Sequence, residues 1–451
     1  MLHVRKPKIL VSGGVSPSAM GDLLQYYVAT ELLKKHIPAA QIVFSTPGSN
    51  SSLLELLSSV DLIPSLVEIS SLSHLVRRIS DAMFVKANEE KSNLADMAST
   101  HQAPIVDIMR ILRTRSPSSW GIRYLRPAIA KVALRGPFCA GAVSGHTITS
   151  SAFFGHVTNY IVSRSLVRGP MVTFPISLSK IGIAVYKKKE KLLERSLRCF
   201  DVVFVRGPHS YELASNYVDS RRITTALDSG FGMRLLCGLA TSGRKDGVVR
   251  IAIVPRREYF FGYGKVRLYD LYLNALVKLI RSLIARGATE VYLVPQSLED
   301  STHVYRGQRM DDVAATHDLT ESLGSELSEG RLKILCPKSP VEAYRIFGSM
   351  NLVITGRMHG GIMAMAAGTP ALFLLPKDDM KVLDVLSFLG LDSSQLTIDI
   401  FDAGALRFEN LADRVTTLLR DSKQLQRTVT ESVERALPLV DLPARVLAGL
   451  L

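Results

Sequence analysis

Arg357 and His359 stand two residues apart in the stretch Thr355-Gly356-Arg357-Met358-His359-Gly360-Gly361. A guanidinium offers a planar fork of donors that fits a phosphate or a carboxylate. An imidazole can take up or release a proton near neutral pH. Gly360 and Gly361 allow close approach of backbone to a ligand and tight helix packing. The pattern around them predicts where the site sits. A helix over 340–350 leads to a short buried strand at 352–354, and a helix of small residues follows at 361–367. In open α/β sheets ligands bind outside the carboxyl ends of strands, where helix N-termini present free N–H groups. The stretch therefore predicts an anion site. Arg256 and Arg257 follow a second apolar strand (249–254), and Gln296 and Ser297 a third (290–295), at the same predicted edge.

The elements that must position these residues read as repeated strand and helix units. A strand at 9–12 runs into Gly13-Gly14, and Gly21-Asp22 opens a helix with apolar residues at 24, 27, 28 and 32. Asp22 could accept a proton from a substrate hydroxyl or cap this helix. Strands are predicted at 41–45, 138–143, 169–175, 201–206 and 222–226. Helices are predicted at 51–60, 151–166, 187–199 and 209–216, and 70–135 reads as mostly helical. A seam without apolar period at 240–248 divides the chain. Beyond it strands are predicted at 332–336 and 371–375, with helices at 269–286, 312–325, 409–421 and 424–436. The expected fold is α/β: two Rossmann-like doubly wound domains facing across a cleft. Residues 1–240 form an N-terminal domain on the acceptor side. Residues 248–430 form a C-terminal domain with the Arg-Met-His motif, and 431–451 a helical tail.

Composition narrows the partners. The chain has 451 residues, 47% hydrophobic and 21% charged, which suits folded domains and excludes disorder over most of its length. Its net charge of +14 is lopsided: residues 1–250 hold 32 basic and 17 acidic side chains, residues 251–451 hold 23 and 24. Such an excess fits nucleic acid, an anionic membrane or phosphorylated ligands. No helix-turn-helix, RRM or zinc pattern accompanies it, so nucleic acid is not expected. Residues 108–135 interleave Arg and Lys with apolar residues and Trp120, which suits an anionic membrane surface or a basic amphipathic helix pair. No run reaches the ~20 apolar residues of a membrane-spanning helix. Cys139, Cys199 and Cys237 lie in apolar stretches and predict buried free thiols. A cytoplasmic protein, peripheral at the inner face of the cell membrane, is expected.

The stretch 339–375 resembles the signature of the polysaccharide pyruvyl transferase family, an R-[LM]-H motif followed by a small-residue helix and G-x-P. Gly21-Asp22 looks like that family's N-x-G-D-E element, with Met20 and Leu23 departing from it. Residues 199–213, CFDVVFVRGPHSYEL, look like its A-D-x-I-x-V-R-D-x-x-S-x-x-L element. Asp228-Ser229-Gly230-Phe231 resembles its D-x-x-F turn, and Met380-Lys381-Val382 its late K-V element. Gly141-Ala142-Val143 stands where the family has a glycine run, with His146 just beyond. The resemblance implies a GT-B-like fold and transfer of pyruvate from phosphoenolpyruvate to a saccharide or lipid-linked saccharide as a ketal. It implies that Arg357, His359 and Arg206 are functional.

In that scheme His359 is the general acid. Arg357 and Arg206 bind phosphate and carboxylate, and Lys381 and Arg256 are further cations. Gly21, Gly360 and Gly361 line the substrate. No metal and no cofactor beyond the co-substrate is required. Two other classes remain: a nucleotide-sugar glycosyltransferase using Glu342 or Asp378 for a ribose, and a non-catalytic binder of glycan or membrane.

Overall fold

Runs such as VRIAIV and ALFLL carry apolar residues at successive positions, because parallel strands are covered on both faces. A computed structural model describes residues 7–12, 20–45, 61–63, 138–143, 147–148, 160, 163–164, 167–178, 189–240, 247–287, 289–297, 304–305, 308–309, 311–324, 326, 330–377 and 379–451. Residues 108–135, His146, Asp378 and the predicted helix at 51–60 lie outside these.

The first sheet has five parallel strands: β1 (Lys8–Ser12), β2 (Gln41–Ser45), β3 (Asp61–Ile63), β4 (Ala140–Val143) and β5 (Met171–Thr173). Their order is β3-β2-β1-β4-β5. A parallel pair, β6 (Val203–Val205) and β7 (Ile223–Thr225), is joined to it by bridges Val172↔Val202 and Ile176↔Val205. The second sheet has six parallel strands: β8 (Val249–Val254), β9 (Thr289–Leu293), β10 (Leu332–Ile334), β11 (Leu352–Thr355), β12 (Ala371–Leu375) and β13 (Thr397–Asp399). Their order is β10-β9-β8-β11-β12-β13. The two sheets thus share one winding: each begins centrally, grows to one side, then crosses over. The crossover lies between β1 and β4 and between β8 and β11. A crevice opens at such a switch point, at the carboxyl ends of the strands. Val254 and Thr355 are paired at that edge, so the segments leading to Arg256 and Arg357 start side by side.

Among the described residues the helices include α1 (Met20–His36), α2 (Lys189–Leu197), α3 (Pro208–Ser215), α4 (Glu258–Gly262), α5 (Val266–Ile284), α6 (Asp312–Ser322), α7 (Pro340–Gly348), α8 (Met358–Ala366), α9 (Met380–Leu389), α10 (Phe408–Arg420), α11 (Ser422–Ala436) and α12 (Leu442–Leu450). Helix α1 buries residues on every side, among them Leu24, Gln25, Tyr26, Val28 and Leu33. Such all-round burial marks a helix enclosed by other elements. One hydrophobic cluster runs from Ile9 and Ala140 of the first sheet through α1 to Ile251, Val353 and Phe373 of the second. A smaller one, with Leu10, Phe138 and Phe200, backs the first sheet.

The chain's end returns to the first half. Helix α12 packs on α1 and β5. Before it, Asp441 pairs with His36 Nε2 at 2.9 Å and Lys35 Nζ at 3.3 Å. Cations in the last turn of α1 suit its dipole, and Asp441 completes the pairing.

Three expectations change. The small-residue helix starts at Met358, not 361, so His359 lies in its first turn. Gly360 reads as a loop residue and Gly361 as the start of the helix, but packing overrides glycine's low propensity. A β-carbon on Gly361 would lie 2.1 Å from Phe373 Cε1. Helix α9 follows Asp379 where only a short motif was read, and ends at Gly390 with φ of 69°. Cys139 and Cys199 are only partly buried and Cys237 is exposed, at the end of a short helix before Gly238.

Gly361→Ala should destabilise the protein by about 1–3 kcal/mol, although alanine is the better helix former. Phe373→Leu in the same chain should recover part of the loss in thermal unfolding. A stabilised Gly361→Ala protein would refute the packing role.

Candidate active site

Thr355 ends β11 and shapes the turn that follows. Its Oγ1 accepts from Arg357 N and donates to Arg357 O, both at 2.9 Å. Arg357 is the N-cap residue of α8, with extended backbone. Its guanidinium is held by two carboxylates. Nε and Nη2 donate to Asp312 Oδ1 at 3.0 and 2.8 Å, and Nη1 donates to Glu258 Oε2 at 3.1 Å. Asp312 is fully buried and also accepts from Gln296 N (3.1 Å) and Ser297 N (3.0 Å). Arg357 keeps some exposure, 19% of its side chain. One edge of it is therefore open to a ligand.

Arg256 shares Glu258, donating to Oε2 at 2.8 Å, and also to Gly356 O at 3.0 Å. Its guanidinium lies 3.6 Å over the Tyr259 ring. The Tyr259 hydroxyl donates to Asp379, and Lys381 Nζ lies 3.5 Å from the same carboxylate. Asp312, Arg357, Glu258, Arg256, Tyr259, Asp379 and Lys381 thus form a run of alternating charge along the second half's crevice.

The first half closes over His359. Met20 N donates to Gln296 O at 2.9 Å, docking the start of α1 on the second sheet's edge. Gly21 then faces the imidazole: a β-carbon there would lie 2.2 Å from His359 Nδ1. The Gln25 amide lies 2.5 Å from His359 Nε2. Asp22 sits in the first turn of α1, where an acidic residue suits the dipole. Arg206, fully buried, pairs with Asp228 and donates to Ser177 Oγ at 3.1 Å. Asp228 in turn caps the turn Ser229–Gly232 through Gly230 N at 2.8 Å.

These surroundings set the protonation states. Burial pushes His359 down to about 4, the Arg206, Lys381 and Arg357 cations push the same way, and Asp228 opposes them. The imidazole is neutral at pH 7. Burial also lowers Lys381, with Arg256 and Arg206 adding to it and Asp379 opposing. Burial and Asp379 raise Tyr259, Arg256 opposing, so its hydroxyl stays a donor. Cations from both halves surround one neutral imidazole.

Of the residues read from sequence, Gly21, Arg206, Arg256, Arg357, His359 and Lys381 gather at this junction. Gly360 closes on Thr355 Oγ1 and Gln296 Oε1, 2.8 and 2.9 Å from a β-carbon there, while Gly361 packs on Phe373. Glu342 is spent elsewhere. It accepts from Lys338 N at 2.8 Å while Ser339 Oγ accepts from Glu342 N at 3.2 Å, so both side chains serve the start of α7. Sequence reading missed Gln25, Glu258, Tyr259, Asp312 and Asp379. One signal was available: Asp311 already caps α6 through Ala314 N at 2.8 Å, which leaves Asp312 spare. Among the described residues, His317, Asp318 and Glu321 are grouped as metal ligands would be. Asp318 there is engaged by Tyr269 OH at 2.6 Å.

The family model for polysaccharide pyruvyl transferase matches residues 20–378. That span includes Gly21, Arg206 and the Arg357–His359 motif and stops just before Lys381. The chain belongs to this family and is a transferase. No curated protein matches it. Among solved structures it is similar to a putative UDP-N-acetylglucosamine 2-epimerase from Listeria monocytogenes, at 14% identity over 98% of this chain and 94% of that one, TM-score 0.54. A UDP-GlcNAc 2-epimerase from Neisseria meningitidis bound to UDP-GlcNAc matches at 10% identity over 96% and 98%, TM-score 0.54. A glycosyltransferase from Rickettsia africae matches at 12% identity over 99% and 98%, TM-score 0.52. These likenesses show the fold, which is of the GT-B type.

The His359 value is testable by NMR of labelled histidine. The ring should titrate near 4 in the free protein, and Lys381→Met should raise it, since a cation is removed. The folded value lies below the ordinary 6.5, so the unfolded chain takes the proton first as pH falls. This residue's contribution is whole above 6.5 and is lost as pH falls through about 4, about 3 kcal/mol in all. His359→Asn should flatten that dependence in denaturant titrations. A ring that titrates near 6.5 contradicts the assignment.

Proposed function

We infer that this member of the polysaccharide pyruvyl transferase family moves pyruvate from phosphoenolpyruvate onto two hydroxyls of a saccharide, forming a ketal and releasing phosphate. The observation that carries this reading is the neutral His359 surrounded by Arg206, Arg357 and Lys381 from both halves. Phosphoenolpyruvate sets a phosphate and a carboxylate on three carbons. Several fixed cations are the chemistry that recognises it, with arginine forks suited to both groups.

The same cations explain how a histidine of such low pKa acts as an acid. An entering polyanion offsets their charge and raises His359 toward neutral pH, so a proton is taken up with the donor. His359 then gives it to the methylene carbon, leaving C2 oxocarbenium-like. One acceptor hydroxyl adds to C2 and loses its proton. The C2–O bond to phosphate breaks, and the second hydroxyl closes the ketal with loss of a second proton. One of those protons restores His359 and the other leaves with phosphate. Asp22, in the first turn of α1 beside Gly21, is the candidate to accept a hydroxyl proton. No step draws on a metal or further cofactor.

In this reading the acceptor binds on the first half. Residues 101–200 carry 16 basic and 3 acidic side chains, which supports an anionic glycan or a lipid pyrophosphate carrier. Among the described residues no helix is long and apolar enough to cross a membrane. Contact with an anionic membrane would be peripheral, through 108–135. The nucleotide-sugar reading loses support because Glu342 caps its own helix.

Incubation with phosphoenolpyruvate and a panel of free and lipid-linked saccharides should release one phosphate per pyruvate ketal, followed by mass. His359→Ala should lower turnover by about 10²–10⁴-fold with the fold intact. Turnover with a nucleotide sugar and none with phosphoenolpyruvate reverses the reading. Calorimetry at pH 7 in buffers of differing ionisation enthalpy should show proton uptake when phosphoenolpyruvate binds. Binding without uptake removes the acid role of His359.

A further inference from the structure

Asp384 lies on α9, one turn beyond Lys381, and is fully buried. It belongs to the second half, yet its carboxylate is turned over to the first. Oδ1 accepts from His209 N at 2.8 Å and lies 3.1 Å from His209 Nδ1. Oδ2 accepts from Ser210 N at 3.2 Å and from Ser210 Oγ at 2.5 Å. These are N–H groups of the first turn of α3, whose own N-cap residue, Gly207, supplies no side-chain cap. First-turn N–H groups have no partner within their helix, and a carboxylate suits the positive end of its dipole. Asp384 supplies across the junction what α3 lacks in its own sequence.

Gly207 makes the approach possible. A β-carbon there would lie 2.6 Å from the Asp384 carbonyl oxygen and 2.8 Å from its Cα. Arg206 is the residue immediately before Gly207, and Lys381 is three residues before Asp384. Two cations from opposite halves are therefore each tied, within one turn, to the same contact. Both also act on the charge of His359.

We propose that Asp384 is a positioning residue: by capping α3 across the junction it fixes Arg206 of the first half in register with Lys381 of the second. The two cations then converge on one anionic donor. This rests on the reading that the donor is phosphoenolpyruvate held by those cations. Loss of a group that only added stability would lower the unfolding temperature and leave donor affinity alone.

The test compares wild type, Asp384→Asn, Ser210→Ala and the control Asp392→Asn. Asp392 is an exposed cap elsewhere, accepting from Ser394 N at 2.9 Å. Steady-state kinetics with phosphoenolpyruvate and acceptor are read beside hydrogen exchange of the His209 and Ser210 amides. Asp384→Asn should raise KM for phosphoenolpyruvate about tenfold or more while KM for the acceptor is unchanged and kcat falls far less. Ser210→Ala should move the same way by a smaller factor, and it carries the test if Asp384→Asn fails to fold. The two amides should exchange faster in Asp384→Asn and Ser210→Ala, and as in wild type in Asp392→Asn. An unchanged KM for phosphoenolpyruvate, or an equal rise for both substrates, overturns the proposal. If wild type does not turn over phosphoenolpyruvate, the donor assignment fails. The exchange arm then stands alone, and unaltered protection in Asp384→Asn overturns the register claim itself.

Discussion

Gly21 and His359 lie so close that no β-carbon fits between them. Most of the site depends on that contact. It brings α1 of the first half against the start of α8 in the second, with Met20 N bound to Gln296 O and Gln25 against His359 Nε2. Glycine is required there for space and not for an unusual backbone angle. The apolar cluster that runs through both sheets supplies the force that holds the contact closed, since burial is non-directional and large. The polar contacts supply its register.

The charges at the junction are a cost to the fold that the network offsets. A buried carboxylate such as Asp312 is tolerated because Arg357 and two backbone N–H groups satisfy it. Removing one member of such a pair leaves a buried charge and costs about 3–5 kcal/mol, more than the pair contributes. Arg357 is therefore doubly constrained. Its pairing holds the guanidinium in one orientation, and only a small part of the side chain stays exposed. The depressed His359 is the counterpart: burial first, and then the Arg206, Lys381 and Arg357 cations, push the proton off the imidazole.

Much of the fold was legible in the sequence. Strands β8, β11 and β12 read correctly because continuous apolar runs leave few alternatives. The Arg357–His359 motif was legible because it follows such a strand. Its partners were not. Gln25 is 334 positions from His359, Glu258 is 99 and Asp312 is 45 from Arg357, and local pattern carries nothing over such distances. The start of α8 was misread because Gly360 looks like a loop residue until Thr355 and Gln296 are seen to fill the space beside it. Helix α9 was overlooked although Gly390, its left-handed stop, was in view.

The docking of α12 on α1 joins helices far apart in the chain, with His36 and Asp441 paired across 405 positions. Domains commonly fold as they leave the ribosome, the N-terminal one first. Here the all-round buried surface of α1 is shared with α7, α8 and α12, all made long after it. The first half therefore emerges with an apolar helix it cannot cover alone. Closing so long a loop is slow, because its entropy is lost before any contact repays it. For a nascent chain the consequence is a wait: α1 stays incompletely covered until the residues of α12 have left the ribosome.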